Sequence, residues 1–183
     1  MPDDRTIYVG LDLSWTGLGM FKSRGPIAVA DEEQVLIHAP KAGFISRVER
    51  LHSIMTNLES RYPGGKNVKV AIEGYAHASR GEREMTGELH GAVKLSLYRH
   101  GFNFVVIQPT TLKSYVTGSG IADKNVMLKE ILKKWGFDTD NDNIGDAYAL
   151  MQFCREYYQP LHSEDFGALI KRAKKLEIVH GAG

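Results

Sequence analysis

The chain has 183 residues and a formal net charge of +1, and 43% of its residues are hydrophobic and 25% charged. These values are typical of one globular domain with a sizeable core, and they argue against a disordered chain or a uniformly basic nucleic-acid-binding surface. No apolar run approaches the ~20 residues of a membrane span and no secretory leader is visible, so we expect a cytoplasmic protein without membrane contact. The single cysteine, Cys154, fits a reducing compartment.

The N-terminal part of the chain is predicted to form an antiparallel meander followed by a long helix. Three or four strands are expected here, at residues 6–14 and 16–22 and within the runs 27–30 and 34–38, where short apolar runs are separated by turns. From 41 to 62 the apolar residues recur at alternating steps of four and three, which predicts one face of a helix. A Pro-Gly-Gly sequence then ends this helix.

The remainder of the chain alternates strands with helices. Strands are expected at 68–73 and 102–108, and helices at 82–100, 110–116, 124–135 and 143–157, with Asp123 as the N-cap of the third helix and Gly136 at its end. An antiparallel meander followed by parallel βα units predicts an α/β fold with a mixed five-stranded sheet flanked by helices. We assign residues 1–160 to this domain and residues 161–183 to a basic C-terminal tail or a terminal helix.

Three acidic residues stand in apolar surroundings. Asp12 lies inside the first predicted strand, Glu73 closes the strand at 68–73, and Asp146 borders the apolar face of the last long helix. An unpaired buried carboxylate costs several kcal/mol, so such residues are usually paired, neutralised or bound to metal. Each acid alone also has a structural explanation: a turn cap for Asp12, a strand-end charge for Glu73 and a favourable helix-dipole position for Asp146.

Together the three acids suit a two-metal site. Two Mg²⁺ ions require hard oxygen ligands such as carboxylates and substrate phosphates. Such a pair, about 4 Å apart, activates a water molecule and stabilises the leaving oxygen when a phosphodiester is hydrolysed. Acids from the first strand, a central strand and a late helix must converge in the fold for this chemistry.

Four motifs follow one another along the chain. They are Gly10-Leu-Asp12-Leu-Ser14, Ala71-Ile-Glu73, the segment from Pro109-Thr-Thr-Leu-Lys113 to Asp123-Lys124, and Asp146-Ala-Tyr-Ala-Leu150. By their order and spacing, the chain over roughly residues 6–155 resembles the RuvC-type Holliday-junction resolvases of the RNase H-like superfamily, most closely the shorter phage-type members. The resemblance implies an RNase H-like fold and a protein of a bacterial or phage-infected cell.

The resemblance also implies roles for individual residues. Asp12, Glu73 and Asp146 would be catalytic residues that hold two Mg²⁺ or Mn²⁺ ions. Lys113 and Lys124 would lie beside the site and contact the substrate phosphates, with Lys124 as part of the catalytic set. Without the resemblance, both would be ordinary surface lysines. Lys124 opens a predicted helix, where a cation is unfavourable and a bound phosphate would explain its presence.

Two positions bear on the remaining contacts of the site. The family generally has an acid or a histidine three residues before the final aspartate, and here that residue is Asn143. We expect the Asn143 carbonyl oxygen to be the fourth metal ligand, with Asp142 as the alternative ligand or as a helix cap. The family also tends to place an aromatic wedge shortly after the glutamate, and Tyr75 is the candidate. We assign DNA contacts to Tyr75 and Ser14, while Tyr75 has the alternative role of covering the sheet edge.

The resemblance implies a structure-selective, metal-dependent endodeoxyribonuclease that resolves four-way DNA junctions and, as the family does, leaves 5′-phosphate and 3′-hydroxyl ends. Symmetric cutting requires two sites related by a two-fold axis, so we expect a homodimer. Its interface would be the helix at 82–100, where Gly87 and Gly91 share one face; alternatively, these glycines let the helix approach its own sheet. Two other functions stay open: a nuclease acting on flaps, three-way branches or RNA-containing duplexes, and a junction-binding protein with a degraded catalytic site.

Overall fold

The computed structural model describes residues 5–14, 17–24, 33–38, 67–75, 80–159, 163–173 and 176–182, with Gly65 and a few isolated positions between 49 and 60. The strands are β1 (Ile7–Asp12), β2 (Gly17–Arg24), β3 (Glu33–His38), β4 (Val68–Glu73), β5 (Asn103–Ile107) and β6 (Glu177–Val179). The helices are α1 (Arg80–Arg99), α2 (Pro109–Thr117), α3 (Lys124–Trp135), α4 (Asp142–Tyr158) and α5 (Glu164–Arg172). The predicted strand at 27–30 lies outside the described residues, as does most of the predicted helix at 41–62, whose described positions are helical. None of the described helices is both long and apolar enough to cross a membrane.

The strands form one mixed sheet in the order β3-β2-β1-β4-β5-β6. β2 pairs antiparallel with β1 and β3, β4 pairs parallel with β1 and β5, and β6 pairs antiparallel with β5. The predicted α/β fold, an antiparallel meander followed by parallel βα units, is therefore confirmed for the first five strands. A sixth strand was not predicted, because the three residues of β6 are too few for a recognisable alternation of apolar and polar side chains.

Helices cover both faces of the sheet because its central strands are apolar on both sides. On one face, a core that includes Tyr8 and Ala71 packs against α4. On the other face, a second core packs against α1, which contributes Leu89. Since side chains alternate along a strand, Asp12 lies on the same face as Tyr8, and Glu73 lies on the same face as Ala71. Both acids therefore face α4.

The C-terminal segment packs on the domain. Phe166 of α5 is buried, and its ring centroid lies 5.6 Å from that of Tyr115 and 5.0 Å from that of Phe153. Glu177 of β6 pairs with Lys94 of α1 at 2.9 Å. The helix α5 therefore shares a core with the rest of the described chain, while β6 extends the sheet.

The ends of α3 follow the signals in the sequence. The Asp123 side chain accepts a hydrogen bond from the Val126 N–H at 2.9 Å and caps the helix. Gly136 ends it in a left-handed conformation with φ of 72°. This cap makes Lys124 the first residue of α3, with its side chain at the positive end of the helix dipole.

Candidate functional site

Asp12 and Glu73 lie side by side at the carboxyl ends of the two central parallel strands. Leu11 of β1 is paired with Ile72 of β4, so the next residue of each strand brings the two acids together at one end of the sheet. Asp12 is only 9% exposed. The sequence predicts that these acids meet if their strands are neighbours, and the strand order satisfies that condition.

Helix α4 reaches the same end of the sheet because glycines let it lie directly on the strands. A Cβ atom added at Gly10 of β1 would stand 2.0 Å from the Ala147 carbonyl oxygen, and one added at Gly19 of β2 would stand 2.1 Å from the Asn143 carbonyl oxygen. Real Cβ atoms essentially never come so close, so only glycine permits this approach. Asp146, which precedes Ala147, is thereby brought to the two acids of the strands.

Burial raises the pKa of all three carboxyl groups, and the charges of nearby acids add to the effect. Burial raises the pKa of Asp12 to about 7, and the nearby charge of Asp146 adds to the effect. Burial likewise raises the pKa of Asp146 to about 6. The pKa of Glu73 lies well above its usual range, first because of burial and then because of the charge of Asp12. Ionising all three groups is therefore unfavourable without a counter-charge, and the site favours a cation.

A cleft of about 300 Å³ opens beside these acids. Its walls include Glu73 and Asp146, together with Lys113 of α2 and Lys124 of α3. The charges of both lysines lower the pKa of Glu73, so the lysines are within electrostatic reach of the acids. The structure thus places both lysines beside the acids, where a phosphate group in the cleft would meet them.

Lys124 has a partner at the start of α4. Its Nζ donates a hydrogen bond to Oδ2 of Asp142. This bond raises the pKa of Lys124 and lowers that of Asp142. Both side chains are well exposed, at 73% and 41%, and an ion pair so open to water is weak enough for a phosphate to displace it.

The N-cap of α4 is Asn141, so the prediction that Asp142 caps this helix is wrong. The Asn141 side chain accepts a hydrogen bond from the Ile144 N–H at 3.2 Å, whereas Asp142 is the first helical residue. The charge of Asp142 raises the pKa of two of the three acids, which places it near them. The fourth metal ligand, Asn143 or Asp142, stays a prediction.

The capping assignment predicts unequal effects of two neighbouring substitutions. Asn141→Ala removes the cap and is expected to lower the free energy of unfolding by about 1 kcal/mol. Asp142→Ala removes an exposed ion pair but also relieves repulsion with the buried acids, so its net effect on stability should be small. Thermal melting of both variants measures this difference. A larger loss of stability from Asp142→Ala than from Asn141→Ala would contradict the assignment.

Other residues at the rim of the cleft have sequence signals that are less distinctive than those of the three acids and the two lysines. Tyr75, two residues beyond Glu73, is 52% exposed, and its ring centroid lies 5.5 Å from that of His90. Thr86 and His90 line the cleft from α1. Sequence analysis missed both, because isolated polar residues on a helix form no motif; only their spacing of four residues indicates a shared face. Ser14, a predicted DNA contact, is partly buried two residues beyond Asp12.

The donor set of the site fits a hard divalent cation. Carboxylate oxygens are the ligands that Mg²⁺ and Mn²⁺ prefer, and burial together with nearby acidic charges raises the pKa of all three carboxyl groups. Within the part of the chain that the structure describes, no three Asp, Glu, His or Cys side chains are preassembled as a metal-ligand group.

Comparisons with known proteins bear on the fold of this site. No protein-family model matches the chain. A curated relative, the crossover junction endodeoxyribonuclease RuvC of Gloeobacter violaceus, is 29% identical over 103 residues, covering 55% of this chain. The chain spans about 60% of the length of that relative.

Solved structures match over nearly the whole chain. The structure of Thermus thermophilus RuvC has a TM-score of 0.59 and 18% identity, covering 95% of this chain and 100% of that one. T. thermophilus RuvC in complex with a Holliday junction substrate has a TM-score of 0.62 and 19% identity, covering 93% and 99%. The likeness confirms the predicted RNase H-like fold.

Proposed function

We propose that this chain is a divalent-metal-dependent endonuclease of the RuvC type, which resolves four-way DNA junctions by hydrolysing phosphodiester bonds. The observation that carries the proposal is the convergence of one buried acid, two partly buried acids and two lysines beside one cleft of an RNase H-like fold. The curated relative bears the name of this activity, and one matching structure contains a Holliday junction. The narrower assignment to the phage-type branch rests on the sequence motifs alone.

In the proposed site Asp12, Glu73 and Asp146 hold two Mg²⁺ or Mn²⁺ ions, with Asn143 or Asp142 as the fourth ligand. Such ions supply the positive charge that activates an attacking water and neutralises the leaving oxygen. The chain itself holds the acids on strand ends and on a tightly packed helix, and it keeps them poorly solvated, which strengthens their attraction for cations. Water adds to phosphorus as the bond to the 3′ oxygen breaks, giving 5′-phosphate and 3′-hydroxyl ends.

The two lysines would position the DNA backbone over the acids. Lys113 and Lys124 present ammonium groups to the cleft, and phosphate contacts of this kind set register without reading sequence. Lys124 would exchange its exposed hydrogen bond to Asp142 for a hydrogen bond to a phosphate oxygen. The N-terminus of α3, where Lys124 lies, adds favourable dipole charge for an anion. Tyr75 and Ser14 are the proposed DNA contacts beyond the backbone.

The proposal includes a homodimer with α1 at its interface. Among the described residues, and apart from the adjacent residues and backbone of the helix itself, no atom lies within 4 Å of a Cβ added at Gly87 or Gly91, so these glycines are not needed for contact with the sheet. Leu95 and Tyr98 continue the same face of the helix and are 50% and 44% exposed. A face of small and exposed apolar residues suits close pairing with a second copy, which would supply the second site for symmetric cutting.

Placing a long charged side chain on this face should separate the two subunits. Gly91→Arg is expected to shift the protein from dimer to monomer at micromolar concentration in sedimentation experiments, because the added side chain occupies the space of the partner helix. Gly167→Arg is the matched control, since Gly167 lies inside α5 with open space around it. A wild-type protein that sediments as a monomer, alone and with junction DNA, would refute the dimer.

Incubation of a labelled four-way junction with the protein and Mg²⁺ tests the proposed activity. Paired nicks at symmetric positions are the expected result, and they should disappear when EDTA replaces Mg²⁺. Cleavage confined to flaps, three-way branches or RNA-containing duplexes would assign the site to a different nuclease. Binding to the junction without any cleavage in Mg²⁺ or Mn²⁺ would instead indicate a junction-binding protein with a degraded catalytic site.

A further inference from the structure

Helix α1 supplies one wall of the cleft through Thr86 and His90, which lie one turn apart. His90 is 3% exposed, which is unusual for a polar side chain at the edge of an open cleft. Its ring meets Tyr75 edge to face, with 5.5 Å between the ring centroids and 63° between the ring planes. Tyr75 in turn follows Glu73 by two residues and is 52% exposed. The contact therefore joins a buried ring to an exposed ring beside the candidate catalytic acids.

The His90 imidazole is neutral at physiological pH. Burial lowers the pKa of His90 to about 4, and the positive charge of Lys94 on the next turn adds to the effect. A neutral ring does not attract the DNA phosphates in the way that the two cleft lysines do. Its environment instead suits a packing role, because edge-to-face aromatic pairs fix the orientation of both rings.

We propose that His90 is a positioning residue, which holds the Tyr75 ring at the rim of the cleft and so increases the preference of the protein for branched over linear DNA. The inference rests on the proposed function and adds to it a residue that the motifs do not include. His90 acts through Tyr75, since its own side chain is covered.

The link between Tyr75 and branch selectivity follows from the chemistry of aromatic rings on DNA. An exposed aromatic ring stacks on nucleobases whatever their sequence, but only where a base face is free. Bases at a branch point lose a stacking neighbour more readily than bases within a continuous duplex. A Tyr75 ring held in one orientation therefore strengthens binding to branched DNA relative to linear DNA. A freely rotating ring would lose part of this gain in binding free energy, because its conformational entropy falls when it stacks on a base.

The decisive measurement is the ratio of dissociation constants for linear duplex and four-way junction of matched sequence, in EDTA. His90→Leu replaces the imidazole with an apolar side chain of similar size that has no aromatic ring, and it is expected to reduce this ratio about two- to tenfold. His90→Phe restores an aromatic edge and should recover the wild-type ratio. In a Tyr75→Ala background, His90→Leu should produce no further change, because His90 then has no ring to hold.

Val93→Ala is the matched control for general destabilisation, because Val93 is fully buried one turn further along α1. It should lower the melting temperature and leave the ratio unchanged. An unchanged ratio in His90→Leu would overturn the inference, as would an equal reduction in the presence and absence of Tyr75. If the wild-type protein itself does not prefer the junction, the proposed function is overturned as well. If the wild type prefers the junction and His90→Leu has the same ratio of dissociation constants, only the positioning role is overturned.

Discussion

Asp12→Asn should reduce junction cleavage by about three orders of magnitude or more while leaving junction binding intact. The substitution preserves the size of the side chain but replaces an ionised ligand with a neutral amide. Asp12 stands beside Glu73 at the strand ends and close enough to Asp146 for their charges to interact, so it is central to the proposed metal site. Loss of one negative charge near the DNA backbone should hold or strengthen binding.

The same substitution should stabilise the metal-free protein. The pKa of Asp12 is about 7 in the folded state, against an ordinary value of 3.8. At a pH between 3.8 and about 7, the unfolded chain has released the Asp12 proton while the folded chain retains it. The free energy of unfolding therefore falls as the pH rises through this range. Asn cannot ionise, and Asp12→Asn is therefore expected to raise that free energy at pH 7.5 in EDTA by on the order of 1–3 kcal/mol.

Three measurements on wild type and Asp12→Asn check this result: junction cleavage, junction binding and denaturant unfolding with and without Mg²⁺. Added Mg²⁺ should stabilise the wild type by neutralising the repulsion among the acids, and it should stabilise Asp12→Asn much less. Asp138→Asn, at an exposed position outside the cleft, is the control and should match the wild type in all three. Cleavage by Asp12→Asn near the wild-type rate would show that the metal assignment is wrong.

Gly10→Ala should lower the free energy of unfolding by about 3 kcal/mol or more, the largest loss of stability expected for a single added methyl group here. The new Cβ would stand 2.0 Å from the Ala147 carbonyl oxygen and 2.5 Å from the Met151 backbone nitrogen. These are backbone atoms of α4, so no side chain can rotate to make room. The helix must instead move away from β1, and Asp146 moves with it.

Denaturant unfolding and junction cleavage together measure the effect of Gly10→Ala. Any variant protein that remains folded should cleave poorly, because Asp146 no longer reaches the acids of the strands. Gly167→Ala is the matched control: open space surrounds Gly167 within α5, and alanine there should stabilise the helix by about 0.5–1 kcal/mol. Equal stability of Gly10→Ala and the wild type would show that α4 does not lie on β1 at this distance.

Local signals in the sequence were sufficient for most elements of the fold. Strands β1, β4 and β5 are apolar runs bounded by turns, and the ends of α3 are marked by Asp123 and Gly136, so each depends on interactions within a few residues. The cap of α4 was misassigned because Asp140, Asn141 and Asp142 all have side chains able to cap a helix, and only the backbone conformation selects among them. β6 was missed because its three residues are too few to show the alternation of apolar and polar side chains by which a strand is recognised.

The sequence likewise indicated some features of the candidate site, and the tertiary structure decided the others. The sequence alone singled out Asp12, Glu73 and Asp146, because a carboxylate in an apolar segment is anomalous whatever surrounds it. Only the tertiary structure decided that these acids meet, since their meeting depends on the parallel pairing of β1 with β4 and on α4 lying directly on the glycines of β1 and β2. The tertiary structure alone also decided that Lys124 pairs with Asp142 and that His90 packs on Tyr75. Contacts between residues distant in the chain depend on how whole elements pack, and no periodicity or local motif encodes them.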